Sequence, residues 1–192
     1  KDKNGKTYKP ALRDMVEDLD TLPIPKYEMF NPVQYFPAVH IRGNIVYNII
    51  TSRGCPFKCT FCAATKSFRN SFRYQSVDRT IMEMKFLKEK LSVDSIQIYD
   101  DNFTTNKKRV KELCKKMVVE ELGFQWVCYT RADALGDEEM LHLMKEAGCI
   151  ALGFGIEFPS NDVLEKINKK ITVVKKPKTI LQNAAFSEAL FQ

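Results

Sequence analysis

Apolar, β-branched stretches alternate with amphipathic helical patterns along the chain, and this alternation constrains the fold more than any other feature. Four stretches have the length and composition of buried strands: 44–51, Ser95–Tyr99, Phe124–Tyr129 and Cys149–Gly155. Helices are predicted after them over about 77–91, Asn106–Leu122, Asp137–Ala147 and 161–169. The chain therefore repeats a strand–helix unit four times.

A strand–helix repeat predicts a parallel sheet with helices packed on its outside. The fold class is accordingly α/β, a partial TIM-like (βα) barrel with about four of the eight units of a complete barrel. In such a fold the carboxyl ends of the strands meet at one edge, where loops converge on a site. Side chains that directly follow the predicted strands are therefore the first candidates for function.

Three cysteines follow the first predicted strand within the stretch 53–62. Cys55, Cys59 and Cys62 have the spacing C-x3-C-x2-C. A structural zinc site closes its tetrahedron with four protein ligands, and a closed iron–sulfur cluster likewise takes four cysteines. Three thiolates from one loop leave a coordination position open, which is the arrangement of a reactive metal centre.

Polar side chains also follow the other three predicted strands. Asp100 and Asp101 follow the second strand, Arg131 the third and Glu157 the fourth. Carboxylates accept hydrogen bonds from amines and hydroxyls, and an arginine pairs with a carboxylate in a bidentate manner. Because the strand ends meet at one edge, these side chains and the cysteines predict a single ligand site. The sequence singles out no catalytic residue.

Composition narrows the class of protein. The chain has 192 residues, 44% of them hydrophobic, which is enough for one domain with a core. Its longest apolar runs fall far short of the ~20 residues that span a bilayer, so we expect no membrane span. A net charge of +6 permits a nucleic-acid partner without requiring one. Six cysteines are typical here of metal ligands and buried thiols rather than disulfides, which indicates a cytoplasmic protein.

Two groups of residues are interpreted as structural. Cys114, Cys128 and Cys149 are scattered without ligand spacing, and we interpret them as buried thiols that pack as small apolar side chains. The basic run Lys107-Lys108-Arg109 is interpreted as a solvated helix face.

The cysteine spacing, with the aromatic residue Phe61 before the last cysteine, resembles the radical S-adenosylmethionine (radical SAM) superfamily. The resemblance implies that Cys55, Cys59 and Cys62 bind three irons of a 4Fe–4S cluster and that SAM chelates the fourth. It further implies reductive cleavage of SAM to a 5′-deoxyadenosyl radical, with an electron from an external donor such as flavodoxin or ferredoxin. Phe61 is expected to belong to the cofactor site.

Four further stretches are similar to the cobalamin-dependent branch of that superfamily. Asp18–Pro25 resembles the linker that joins a cobalamin-binding domain to the barrel. Asp100-Asp101-Asn102 occupies the place of the motif that contacts the methionine amine of SAM. The other matches are Arg131-Ala132-Asp133 with an Arg-x-Asp motif and Gly153–Glu157 with a Gly-Ile-Glu motif. The SAM contacts implied by this resemblance are Asp100, Asp101, Arg131 and Glu157.

The same resemblance sets the expected domain organisation. Residues 1–43 are expected to be a proline-rich linker at the end of an upstream cobalamin-binding domain, which would supply cobalamin from outside this chain. Residues 44–172 are expected to be a partial radical SAM core, and 173–192 an atypical tail. Because the chain begins with Lys1 and lacks later strand–helix units, it is expected to be a fragment. The expected reaction of the full-length protein is methylation or rearrangement of an unactivated carbon in a small-molecule or lipid substrate.

Two other functions remain open. The basic residues Arg69 and Arg73 motivate a radical SAM methylthiotransferase that acts on transfer RNA or a ribosomal protein, although a nucleic-acid partner is not expected. The second is a non-catalytic zinc module in which His40 is a distant fourth ligand. The sequence does not identify the substrate.

Overall fold

Four parallel strands form the central sheet. The computed structural model describes residues 3, 5–7, 13–31, 41 and 43–172. The sheet contains, in spatial order, β1 (Val46–Ile49), β4 (Ser95–Ile98), β5 (Gln125–Arg131) and β6 (Cys149–Gly155). Two short strands, β2 (Ser52–Arg53) and β3 (Arg73–Tyr74), form a separate antiparallel pair.

The strands of the sheet are ordered as the predicted repeat requires. At one end Val46 is paired with Ser95, and Ser95 with Gln125. At the other end Arg131 is paired with Gly155. All pairings in this sheet are parallel, so the carboxyl ends of its strands lie at one edge. The predicted α/β fold is confirmed, and within the described residues the sheet is open rather than closed into a barrel.

The described ranges contain these α-helices: α1 (Ala64–Ser67), α2 (Val77–Leu91), α3 (Lys107–Val119), α4 (Glu138–Glu146) and α5 (Asn161–Lys166). The sequence predicted α2 and β6 to the residue. It placed the ends of α3 and α5 three residues too late, because the chain leaves helical geometry before the apolar pattern ends. None of the helices in the part that the structure describes is long and apolar enough to cross a bilayer.

The three longest helices begin at side chains that cap them. The hydroxyl of Ser76 accepts a hydrogen bond from the backbone N–H of Arg79 at 3.0 Å. Asn106 and Asp137 make equivalent bonds, each at 3.1 Å, three residues into their own helices. These bonds satisfy N–H groups that have no partner within the helix, which explains why the helices begin where they do.

One apolar cluster lies between the sheet and the helices. Its fully buried members include Ile49, Met84, Leu87, Ile96, Ile98, Phe103, Leu113, Trp126, Met140 and Met144. Cys114, Cys128 and Cys149 belong to the same cluster, which confirms their interpretation as buried thiols. Burial raises the pKa of the Cys114 and Cys128 thiols, so both remain neutral and pack as apolar groups.

The predicted solvated face on α3 is wrong at Arg109, which is only 4% exposed. Its Nε donates to the carbonyl of Gln75 at 2.7 Å, and its Nη2 donates to the hydroxyl of Thr80 at 3.1 Å. Its guanidinium lies 5.5 Å from the centre of the Tyr74 ring. The two lysines before it are exposed as predicted. Arg109 therefore joins α3 to the start of α2, a contact between distant segments that helical periodicity does not reveal.

The segment 13–31 packs against α2 and is therefore not an isolated linker. Leu19 and Tyr27 are buried, and the Tyr27 hydroxyl donates a hydrogen bond to Glu83 of α2. Arg79 of α2 donates to the carbonyl of Leu22 at 3.2 Å. This part of the chain is therefore held on the core by both apolar and polar contacts.

The predicted domain boundaries stay a prediction. The described part of residues 1–43 is attached to the core, and its assignment to a cobalamin-binding domain is not tested by that attachment. The atypical tail, 173–192, lies outside the described residues.

Replacing Arg109 tests its role as a buried anchor. We expect Arg109→Ala to lower the free energy of unfolding by about 3 kcal/mol, because buried acceptors lose a charged donor. Urea denaturation followed by circular dichroism measures the change. Lys108→Ala, at the exposed neighbouring position, is the control and should change stability by less than about 0.5 kcal/mol. Equal stabilities of the two variants would contradict the anchoring role.

Candidate functional site

The cysteine loop, residues 55–62, begins at a sharp bend. Gly54 has a φ of +84°, and a Cβ atom at this position would lie 2.1 Å from the carbonyl oxygen of Ser71. Only glycine combines this backbone conformation with so close an approach. The bend directs the chain from β2 into the loop, and α1 follows the loop directly.

The cysteine loop forms one wall of a cavity of about 210 Å³ at the carboxyl edge of the sheet. Functional side chains that line the cavity are Cys55, Phe57, Cys59, Phe61, Cys62, Asp101, Tyr129, Arg131, Glu157 and Lys169. Every residue that the sequence predicted for the site is among them except Asp100. The volume is below the ~300–1,000 Å³ of typical small-molecule sites, so these residues form part of the wall of such a site.

Asp100 is a buried structural residue that does not line the cavity. It is 2% exposed. One carboxylate oxygen accepts from the backbone N–H groups of Thr51 (2.6 Å) and Ser52 (3.0 Å), and the other accepts from their hydroxyls, both at 2.7 Å. Burial raises the pKa of Asp100, whereas these hydrogen bonds act in the opposite direction. The structure therefore gives Asp100 a structural role, and its expected contact with SAM stays a prediction.

Asp101 is the carboxylate of this pair that faces the cavity. One of its oxygens accepts from the backbone N–H of Gly54 at 3.0 Å. This bond attaches the end of β4 to the start of the cysteine loop. The exposed carboxylate retains acceptor capacity for a ligand.

Arg131 reaches the cysteine loop from the end of β5. Its guanidinium lies 3.6 Å from the centre of the Phe57 ring, a cation–π contact at a residue that is only 6% exposed. Its Nε donates to Asp133 at 3.2 Å, and its Nη2 donates to the carbonyl of Lys170 at 3.2 Å. Two nitrogens of the guanidinium group expected to pair with the carboxylate of SAM, Nε and Nη2, thus already donate to the protein itself.

Glu157, which follows β6, and Lys169, which follows α5, form an ion pair in the cavity wall. The Nζ of Lys169 lies 2.9 Å from the carboxylate of Glu157 and 5.6 Å from the centre of the Phe61 ring. Lys169 is 7% exposed, whereas Glu157 is exposed, so only the lysine side of the pair is shielded from water. Gly155 makes room for it, because a Cβ atom there would lie 2.3 Å from the Glu157 carboxylate.

The thiols of the cysteine loop influence one another. Burial raises the pKa of the Cys55 thiol, the backbone N–H of Phe57 and the guanidinium of Arg131 lower it, and the proximity of Cys62 and Cys59 raises it again. Among the described residues, no three His, Cys, Asp or Glu side chains converge as they would around a single metal ion. A cluster does not require such convergence, because each cysteine binds a different iron.

Comparison with known proteins defines the family. The family model described as the radical SAM superfamily matches residues 49–184. This chain therefore belongs to the radical SAM superfamily, and it is an enzyme of that class. The match includes the cysteine loop and the whole of β4, β5 and β6. Of β1 it includes only the last residue, Ile49.

Several curated relatives carry methyltransferase names, and others are named anaerobic magnesium-protoporphyrin IX monomethyl ester cyclases. An uncharacterized methyltransferase of Pyrococcus horikoshii is 36% identical over 169 residues, which cover 88% of this chain and 36% of the relative. The cytidylyl-2-hydroxyethylphosphonate methyltransferase of Streptomyces wedmorensis is 32% identical over 166 residues, with coverage of 83% and 30%. The chain thus spans about a third of the length of these relatives.

A solved structure shares the fold. The radical SAM methyltransferase TsrM of Kitasatospora setae superposes with a TM-score of 0.62 at 17% identity, over 72% of this chain and 28% of TsrM. TsrM has been solved with tryptophan and a SAM analogue, and with cobalamin and a [4Fe–4S] cluster. At this identity the likeness concerns the fold alone.

The cofactors implied by the family are a 4Fe–4S cluster and SAM. The donor set of the cavity fits them. Its described lining offers three thiols and no fourth cysteine or histidine, which leaves a position for a non-protein ligand. The buried cations Arg131 and Lys169 stand beside the cysteine loop, where they offset the negative charge of thiolates.

Sequence reasoning missed three of the cavity residues. Phe57 lies within the cysteine loop but matched no motif, and Tyr129 was taken only as a strand residue. Lys169 was placed in the last turn of a predicted helix, where a lysine is ordinary. The residue before it, Asn168, is a helix-stop signal that could have moved the helix end and placed Lys169 outside it.

The structural role of Asp100 can be separated from the ligand-facing role of Asp101. We expect Asp100→Ala to lower the free energy of unfolding by about 3 kcal/mol, because it leaves buried donors of Thr51 and Ser52 unpaired. Asp101→Ala loses one partly exposed hydrogen bond and should cost about 1 kcal/mol or less. Urea denaturation of both variants measures the difference. A more stable Asp100→Ala than Asp101→Ala would show that the roles are reversed.

Proposed function

We propose that this chain holds a 4Fe–4S cluster on Cys55, Cys59 and Cys62 and binds SAM at the open coordination position, for reductive cleavage of SAM to a 5′-deoxyadenosyl radical. The single cavity that joins the three thiols to polar side chains from the other strand ends carries this proposal. When bound, the cluster supplies the electron that breaks a carbon–sulfur bond of SAM. The protein binds and orients SAM and limits access of water.

The cavity offers a complementary side chain for each charged group of SAM. Asp101 and Glu157 accept hydrogen bonds from its amine or its ribose hydroxyls. Lys169 supplies a cation for its carboxylate. We assign that contact to Lys169 because its ammonium group gives one of its three donors to Glu157, whereas both Nε and Nη2 of Arg131 already donate to the protein. The ammonium group of Lys169 also makes a cation–π contact with Phe61, which lines the same cavity.

For the full-length protein we propose methylation of an unactivated carbon, with cobalamin bound by a domain outside this chain. The methyltransferase names of the relatives and the fold shared with TsrM support this reading. Rearrangement at such a carbon is the alternative reaction. The substrate is a small molecule or a lipid, and an external donor such as flavodoxin or ferredoxin reduces the cluster.

The two other functions have less support. Arg69 and Arg73 motivated a methylthiotransferase, but both side chains donate to backbone carbonyls of Arg13 and Val16. Part of the hydrogen-bonding capacity of both guanidinium groups is therefore satisfied within the chain. The zinc module required His40, which lies outside the described residues, and membership of the radical SAM superfamily argues for a cluster instead.

Anaerobic reconstitution with iron and sulfide tests the proposal. We expect the reduced chain to give a 4Fe–4S signal in electron paramagnetic resonance that changes when SAM is added. Cys59→Ala should lose that signal, whereas Cys114→Ala, which removes a thiol from the core, should retain it. Zinc without iron in the purified protein, or an intact signal in Cys59→Ala, would contradict the proposal.

Lys169 is expected to control the affinity for SAM. Lys169→Met should weaken SAM binding at least about tenfold, because an uncharged side chain gives up a charge-assisted hydrogen bond. A titration of the cluster signal with SAM measures the affinity. Lys170→Met, at the exposed neighbouring lysine, is the control. If both variants bind SAM as tightly as the wild type, the carboxylate contact belongs to another residue.

A further inference from the structure

The cysteine loop is attached to the segment that follows α5, far away in sequence. The backbone N–H of Thr60 donates to the carbonyl of Ile167 at 3.0 Å. The side-chain amide of Asn168 donates to the carbonyl of Lys58 at 2.7 Å. Both bonds reach residues that lie between the cysteines, so they restrain the part of the loop from which the ligands project.

The end of α5 creates these contacts. The N–H of Lys169 donates to the carbonyl of Leu164 at 2.9 Å, and the N–H of Asn168 donates to that of Glu165 at 2.8 Å. This pair of bonds is the Schellman arrangement, in which the residue after the cap adopts the left-handed conformation. Asn168 has a φ of +53°, and asparagine tolerates this conformation better than most residues.

The same turn serves the loop in two ways. It leaves the carbonyl of Ile167 without a hydrogen-bond donor from the helix, and the N–H of Thr60 donates to this carbonyl instead. It also aims the Asn168 amide at Lys58. A glycine would form the turn at least as well, so the turn alone does not explain an asparagine here.

We propose that Asn168 is a positioning residue that holds the cysteine loop in the conformation that accepts and retains the cluster. We name the segment 167–170 the clasp. Besides Ile167 and Asn168, the clasp contributes the carbonyl of Lys170, which accepts from Arg131, the residue stacked on Phe57 of the loop. The role in cluster retention rests on the proposed function. The restraint of the loop does not, because it follows from hydrogen bonds within the chain.

Asn168→Gly isolates the proposed bond. Glycine retains the left-handed turn that ends α5 and removes only the amide that reaches Lys58. Asn168→Asp is a second variant of nearly the same shape that also tolerates the turn but cannot donate to a carbonyl. Asn70→Gly is the matched control, because Asn70 also has a positive φ, of 56°. Among the described residues its amide makes no hydrogen bond to the cysteine loop.

The first measurement is hydrogen–deuterium exchange of the full chain without cluster, read on peptides that cover residues 55–62. Loss of one hydrogen bond should speed exchange of the Thr60 amide about fivefold in Asn168→Gly and Asn168→Asp. Asn70→Gly should exchange as the wild type does. Unchanged exchange in both Asn168 variants, or equal acceleration in the control, would overturn the proposal.

The second measurement is the rate at which the reconstituted protein loses iron to a ferrous chelator. We expect Asn168→Gly to release iron about fivefold faster than the wild type and Asn70→Gly to match the wild type. Equal rates in all three would reject the role in cluster retention. If the wild type takes up no cluster at all, the proposed function fails, and the exchange measurement alone still decides whether Asn168 holds the loop.

Discussion

The buried carboxylate of Asp100 is the interaction on which the position of the site depends. It gathers the backbone N–H groups and hydroxyls of Thr51 and Ser52, and so joins the end of β4 to the connection between β1 and β2. Four donors satisfy the acceptor capacity of the carboxylate, which compensates for its burial. The cysteine loop begins three residues after Ser52, following the bend at Gly54. Its starting point and direction are therefore set by a group that does not line the cavity.

Two cations define the chemical character of the cavity. Arg131 stacks on Phe57 and Lys169 lies over Phe61, so each aromatic ring of the cysteine loop contacts a buried positive charge. These charges come from β5 and from the segment after α5, and they meet only because the chain folds both toward the loop. Burial raises the pKa of the Cys55 thiol and Arg131 acts in the opposite direction, while both cations attract anionic ligand groups. The loop supplies the sulfur ligands, and the rest of the sheet supplies the electrostatic setting in which they act.

Much of the fold could be read from the sequence, because its signals are local. The periods of the apolar residues placed the strands and helices, and parallel pairing followed from their alternation. The location of the cysteines and of Asp101, Arg131 and Glu157 at one cavity was likewise foreseeable from strand ends. Sequence patterns did not give the hydrogen-bonded burial of Asp100, the burial of Arg109 or the ends of α3 and α5. The first two depend on partners distant in the chain, which no local pattern contains, whereas the end of α5 follows from a local turn at Asn168.

By itself the sequence determined the class of protein. The spacing of three cysteines limits how many irons one loop can bind, and the strand–helix repeat limits how the chain can pair its backbone. Only the tertiary structure decided which polar residues face the cavity and which serve the fold. Neighbouring carboxylates such as Asp100 and Asp101 are equivalent as sequence, yet successive side chains at the end of a strand point in different directions. Asp100 therefore enters the interior, where it must be fully hydrogen-bonded, and Asp101 faces the cavity, where its carboxylate keeps acceptor capacity.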